Sequence, residues 1–311
     1  MNELKYRILG FYVTHRDRLI KVLRLVVVPG FGGVPLYDVL VFFVKGLFEG
    51  SVSTRAAAVS YNFFLAIFPF ILFLFTLIPY IPVADFQLTL FSLFREIIPP
   101  ETFAMVEKTI YEIVMLQNTG LLSLSFILTF YFSTNGVNAI MDGFNSSLHS
   151  SQIRNWWRQR LTAIFLMIVL SVLVILAITF ITVGSLSINW LIEKGFIKDD
   201  LTVTLLEIVR WLIILLLTFF SVSFLYYFGP AERRAYAFFS PGSILATFLL
   251  IIGTLGFNIY IANFSTYNAL YGSIGTLIIF LVWIFISAFI LLIGFELNAS
   301  IRQAKIVWKP N

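Results

Sequence analysis

The sequence predicts an all-α membrane protein with six spanning helices, and three observations carry that prediction. Only 12% of its 311 residues are charged while 59% are hydrophobic, against about 25% charged residues in an ordinary soluble domain. Mean hydropathy is +0.95. The apolar residues also come in long runs set apart by short polar links, and each run is long enough to cross a hydrocarbon core of about 30 Å. Runs so continuous exclude a β-barrel, whose strands alternate over roughly ten residues.

Taken in order, residues 1–35 form a basic segment expected in the cytoplasm. Its short apolar run at 25–28 ends at Pro29 and Gly30 with no small-residue cleavage site behind it, which argues against a removable signal peptide. In the next stretch Leu36, Val39, Leu40, Phe43 and Leu47 recur at helical spacing while Asp38, Lys45 and Glu49 are polar. This predicts an interfacial helix, too short to cross. Spans are expected near 56–78, 121–142, 161–183, 204–228, 241–262 and 273–297, making 36–299 one transmembrane domain and 300–311 a cytoplasmic tail. Between the first two spans, 79–120 carries two short amphipathic patterns, Phe86, Leu90, Leu93, Ile97 and then Phe103, Val106, Ile110, Ile113, separated by Pro99-Pro100. They read as helices capping the outer mouth.

Orientation follows from charge. One set of loops, termini included, holds 16 Lys and Arg and the other holds 4, with Arg210 inside the fourth span. By the positive-inside rule both termini face the cytoplasm, and the same rule accounts for the net charge of +5 without nucleic acid. With no cysteine and only His15 and His149, disulfides, Cys-bound metals and thiol nucleophiles are excluded. No GxxxxGK[ST] phosphate loop or dinucleotide fingerprint occurs, so neither ATP-driven work nor a bound cofactor is expected.

Several strings together resemble one family. They are SYNFFLAIFP (60–69), FSTNGVNAIMDGFN (132–145), FGPAERR (228–234), FSPGSILATF (239–248), GFNIYIANFSTYNALYGSIG (256–275) and VWIFISAFILLIGFELNA (282–299). In this order they are similar to the YihY family of bacterial membrane proteins, also called virulence factor BrkB and once described as ribonuclease BN. The resemblance covers roughly 36–299 and implies a six-helix inner-membrane protein. The old ribonuclease label finds no support in the residues: metal-dependent hydrolysis of RNA needs clustered His and Asp to hold its ions, and both histidines stand alone.

Polar side chains in the spans are the functional candidates, since they avoid lipid and face a bundle interior or a cavity. Asn135, Asn138 and Asp142 stand at i, i+3 and i+7 on one helix face. Measured from Leu121 they lie about 21, 26 and 32 Å inward, and Asn62 of the first span lies at a similar depth. Either they line a polar cavity open to the cytoplasm or they hold two helices together. Asn258 adds a polar point to the fifth span, whose outer link could form part of a gate. Glu296 is expected to close the sixth span, in one layer with Asp142 and the basic residues Arg158, Arg160, Arg233 and Arg234. That layer reads as a gate or lipid-phosphate site, or as plain topological anchoring. Pro69 is expected to kink the first span. These features favour a translocator of a lipid-linked or small amphiphilic solute, with a non-transporting assembly protein as the alternative. Membrane lipids are the expected partners, a homo-oligomer is open, and no catalytic group presents itself.

Overall fold

The computed structural model describes residues 20–82, 85–97, 100–148, 154–194, 200–232, 236–262 and 273–308. Six helices among them are long and apolar enough to cross a membrane, and no strand occurs among the described residues beyond an isolated bridge between Val27 and Pro35. We number the helices α1 (Leu36–Glu49), α2 (Val52–Leu77), α3 (Phe86–Ile97), α4 (Pro100–Met115), α5 (Thr119–Asn145), α6 (Trp156–Glu193), α7 (Asp200–Phe228), α8 (Pro241–Ala262) and α9 (Ser273–Val307). The spans are α2 and α5 to α9.

Local chemistry sets several boundaries. Pro35, with no backbone N–H to lose, precedes α1, and Ser51 takes a positive φ of 50° where α1 gives way to α2. Asn118 Oδ1 accepts the Leu121 N–H at 2.9 Å to cap α5. Ser240 Oγ accepts the Ser243 N–H at the start of α8, whose first residue is Pro241. Pro69 lies inside α2, which nonetheless runs unbroken.

The chain divides into two compact units, Ser60–Gly136 and Met1–Val59 with Val137–Asn311. In the smaller unit α3 packs on α4, through Phe91 against Phe103 and Tyr111. Gln87 donates to the carbonyls of Ile78 and Ile81, and the Thr76 and Ser125 hydroxyls meet at 3.1 Å.

In the larger unit α6 packs on α7, α7 on α8, and α8 on α9, while α1 lies along the end of α9. That last contact corrects an expectation. The sixth helix does not stop near residue 297 but continues to Val307, because Ile301 and Ala304 are buried against Phe31, Val34 and Val39. Burial here is lopsided. Buried side chains fall at one end of α6 to α9, among them Leu166, Tyr226, Ala246 and Phe295. Across 167–184, 202–221, 248–261 and 277–287 no residue is buried. Two helices in contact leave every residue open on one side, and enclosure needs a third neighbour. Among the described residues of α6 to α8 that enclosure is found at the end nearest Glu296, and in α9 from Ala288 onward apart from Gly275 near its start.

Candidate functional site

At that closed end sits a buried ion pair. Arg55, on the first turn of α2, sends Nη2 to Glu296 Oε2 of α9 at 3.1 Å; the arginine side chain is 8% exposed and the glutamate 0%. Arg55 Nη1 also donates to the Gly143 carbonyl of α5 at 2.7 Å, and the Ser147 hydroxyl donates to Glu296 Oε1 at 3.0 Å. The pair thereby joins α2, α5 and α9. Helix α1 covers it with Gly46, where an added Cβ would stand 2.2 Å from Glu296 Oε1. Only glycine lets α1 approach so closely. Two charged side chains withdrawn from water are costly to separate once paired and hydrogen-bonded, and removing one member strands the other. Arg55 Nε is buried and has no hydrogen-bond partner among the described residues.

Around this pair the packing is dense and partly polar. Phe144 stacks on Phe295 at 4.3 Å between centroids, and Tyr226 meets both edge-on. The Tyr226 hydroxyl donates to the Leu291 carbonyl at 2.6 Å. Asn298 clamps the start of α8: its Oδ1 accepts the Gly242 N–H and its Nδ2 donates to Ser240 Oγ, both at 2.8 Å. Nearer the surface Arg302 pairs with Glu232 and lies over the Tyr236 ring. Burial pushes the Tyr236 phenol above its usual range, and a hydrogen bond with Arg302 works against that shift.

The residues singled out from sequence fall into separate places. Asn138 donates to Asp142 Oδ2 at 2.9 Å, and Gln159 of α6 donates to Asn138 Oδ1 at 3.1 Å and also to Asp142. Asp142 is exposed and belongs to this trio, whereas Glu296 belongs to the buried pair. The two carboxylates do not form one ionic layer. Nor does Glu296 close its helix, which runs eleven residues further. Its cation is Arg55, which the sequence places in the polar flank before the first span; Arg158 is exposed, Arg160 half-buried, and Arg233 and Arg234 lie outside the described residues. Asn62 and Asn135, in the smaller unit, are half-buried and each is engaged in an interaction. Asn258 is exposed on α8. Sequence reasoning missed Arg55, Ser147 and Ser240. The available signal was an arginine one turn into a span, where charge is costly without a partner.

No group of three or more His, Asp or Glu among the described residues is placed to hold a metal ion; His15 and His149 lie outside them. What the site does in this structure is hold a buried charge pair between helices.

Such an ion pair at the closed end of an α-helical membrane bundle defines the class, and the comparisons name the family. A family model described as Virulence factor BrkB matches residues 43–310, and the chain belongs to that family, as its resemblance indicated. It is 30% identical over 269 residues to the ribonuclease-like protein YfkH of Bacillus subtilis (strain 168), covering 85% of this chain and 96% of that one. It is 26% identical over 273 residues to the UPF0761 membrane protein NTHI0384 of Haemophilus influenzae (strain 86-028NP), covering 84% and 94%. No solved structure matches.

Proposed function

We propose that this BrkB-family protein is a translocator of a lipid-linked or small amphiphilic solute in the bacterial inner membrane, with both termini in the cytoplasm and membrane lipids as its partners. The observation that carries this reading is the contrast within the larger unit. The end of α6 to α9 that holds Arg55–Glu296 is enclosed, while 167–184, 202–221, 248–261 and 277–287 hold no buried residue. Apolar helix faces open along their length admit an acyl chain sideways from the bilayer. A buried charge pair at the closed end is a barrier whose opening has a defined energetic cost. In this reading Arg55 and Glu296 gate, while Asn138 and Asp142 mark the polar side of the path. The ribonuclease-like name belongs to the Bacillus relative, and we infer no nuclease activity for this chain.

The test is reconstitution of the full chain in liposomes carrying dye-labelled phospholipids or dye-labelled polyprenyl-linked sugars, with a membrane-impermeant reductant reporting exposure of the dye. Wild-type protein should expose inner-leaflet dye faster than empty liposomes do, for at least one class of amphiphile. Rates equal to empty liposomes for every class would favour the assembly reading, which the clamp of Asn298 on Ser240 and Gly242 suits. Orientation is tested separately. The chain has no native cysteine, so single cysteines at Lys198 and Arg233 should label from opposite sides of the membrane.

A further inference from the structure

Helix α1 carries a second feature, unrelated to Glu296. Tyr37, Val41, Val44 and Phe48 repeat at spacings of four, three and four, which puts them on one stripe of the helix. Val41, Val44 and Phe48 are exposed, Phe48 at 84%. The other side of the helix is already used, with Val39 in the cluster against α9 and Gly46 over Glu296. At its first turn the stripe opens into a groove of about 530 Å³, lined by Tyr37 and Val41 of α1 and by Ala304, Val307 and Trp308 at the end of α9. That volume is in the range of sites that bury a small molecule, about 300 to 1,000 Å³.

Charge at the rim points to the occupant. The Arg24 guanidinium lies 5.1 Å from the centroid of the Tyr37 ring. Lys21 stands three residues earlier in the same helical turn, and both basic residues are exposed. Asp38 lines the groove as well, and Lys305 is exposed in the last turn of α9 beside Ala304, so the charged groups around the groove are basic in excess. Depth agrees. Helix α9 has 35 residues, about 52 Å, against about 40 to 45 Å for a bilayer with its headgroup layers. With an ordinary tilt of about 20° its last turn falls at headgroup level, where Trp and Tyr are the usual interfacial side chains.

We propose that this groove seats one singly anionic phospholipid, its acyl chain along Val41, Val44 and Phe48 and its phosphate against Arg24 and Lys21. The site does not depend on whether the protein moves anything. It makes the N-terminal segment and the end of α9 a lipid-reading surface beside the spans.

The test is native mass spectrometry of the full chain, purified in detergent and titrated with dioleoyl phosphatidylglycerol or dioleoyl phosphatidylcholine. Wild type should retain the glycerol lipid in preference. Arg24→Gln should weaken that lipid by about fivefold and leave the choline lipid unchanged. Asp38→Asn should strengthen the glycerol lipid by a similar factor. Val41→Trp, which fills the groove, should weaken both lipids. Opposite signs for the two charge variants cannot come from general loss of structure. Equal retention by wild type, Arg24→Gln and Asp38→Asn, or unchanged binding by a folded Val41→Trp, would overturn the site.

Discussion

The two halves of α9 are equally helical and the first is the more apolar, yet it is the second that is buried. In the first half Leu277, Ile278, Phe280 and Val282 are exposed. In the second, Leu292, Phe295, Glu296, Asn298 and Ser300 are not. The exposed stretch 277–286 holds no small or polar side chain, whereas 294–300 holds Gly294, Glu296, Asn298, Ala299 and Ser300. Lipid tails accept Leu or Phe as readily as a neighbouring helix does, so apolar surface does not drive helices together inside a bilayer. Close backbone approach and interhelical hydrogen bonds do. In α9 the enclosed stretch is therefore the one whose glycine and polar side chains meet a neighbouring helix, Gly294 against α8, Glu296 against Arg55 and Asn298 against Ser240 and Gly242.

The sharpest way to break this contrast is to remove an anchor. Glu296→Ala should leave the Arg55 guanidinium buried and unpaired, at a cost of about 3 to 5 kcal/mol, read as a large loss of membrane yield and melting temperature. Glu296→Gln keeps the volume and the acceptor for Ser147 but also strands the cation, so it should fall between Ala and wild type. If the alanine variant melts within a degree of wild type, the pair does not hold α2, α5 and α9 together. Arg55→Gln with Glu296→Gln, in the same chain, should recover part of the loss, since neither charge is then unpaired.

Arg55–Glu296 also shows where sequence reasoning reaches its limit. Six spans, the interfacial helix and the two short helices before the second long loop-to-span transition at Thr119 are legible because each depends on a local run or spacing. The Asn138–Asp142 bond is legible for the same reason, being an i, i+4 pair. Arg55 and Glu296 are 241 residues apart, and their meeting depends on the rotation of two helices about their axes. Where every face is apolar, one sequence does not reveal that rotation. The continuation of α9 to Val307 was readable in part, because Leu297, Ile301 and Ala304 keep helical spacing past the expected end. What hid it was that their partners, Phe31, Val34 and Val39, lie at the far end of the chain.

A milder pair of substitutions compares the two ends through glycine. At Gly294 an added Cβ would stand 2.5 Å from the Tyr226 hydroxyl, 2.6 Å from Ala246 Cβ and 2.7 Å from the Gly242 carbonyl. One of those neighbours is backbone and cannot turn aside, so Gly294→Ala should destabilise by about 1 to 3 kcal/mol through forced separation of α8 and α9. At Gly256, in the open part of α8, no described residue comes within 4 Å of the same atom. Gly256→Ala should be neutral, or stabilising by up to about 1 kcal/mol, because alanine is the better helix former. Thermal melts in one detergent check both. Similar losses at the two positions would mean that Gly256 is also covered and that the open end is closed.

A small effect on stability is also expected at Asp142, where it best separates folding from function. Its carboxylate is exposed and accepts hydrogen bonds from Asn138 and Gln159. Asp142→Asn keeps the size and one acceptor. It turns the other oxygen into a donor, which then faces a donor of Asn138 or Gln159. One bond of a partly hydrated trio is lost, worth about 0.5 to 1.5 kcal/mol at most, so yield and melting temperature should stay close to wild type. If Asn138 and Asp142 line the path of an amphiphile, dye exposure in the liposome assay should nevertheless slow, because the negative charge is gone. Slowing with an unchanged melt places Asp142 on the path. Unchanged rate and melt together would make the trio a wet strut between α5 and α6, and the gating role would rest on Arg55 and Glu296 alone.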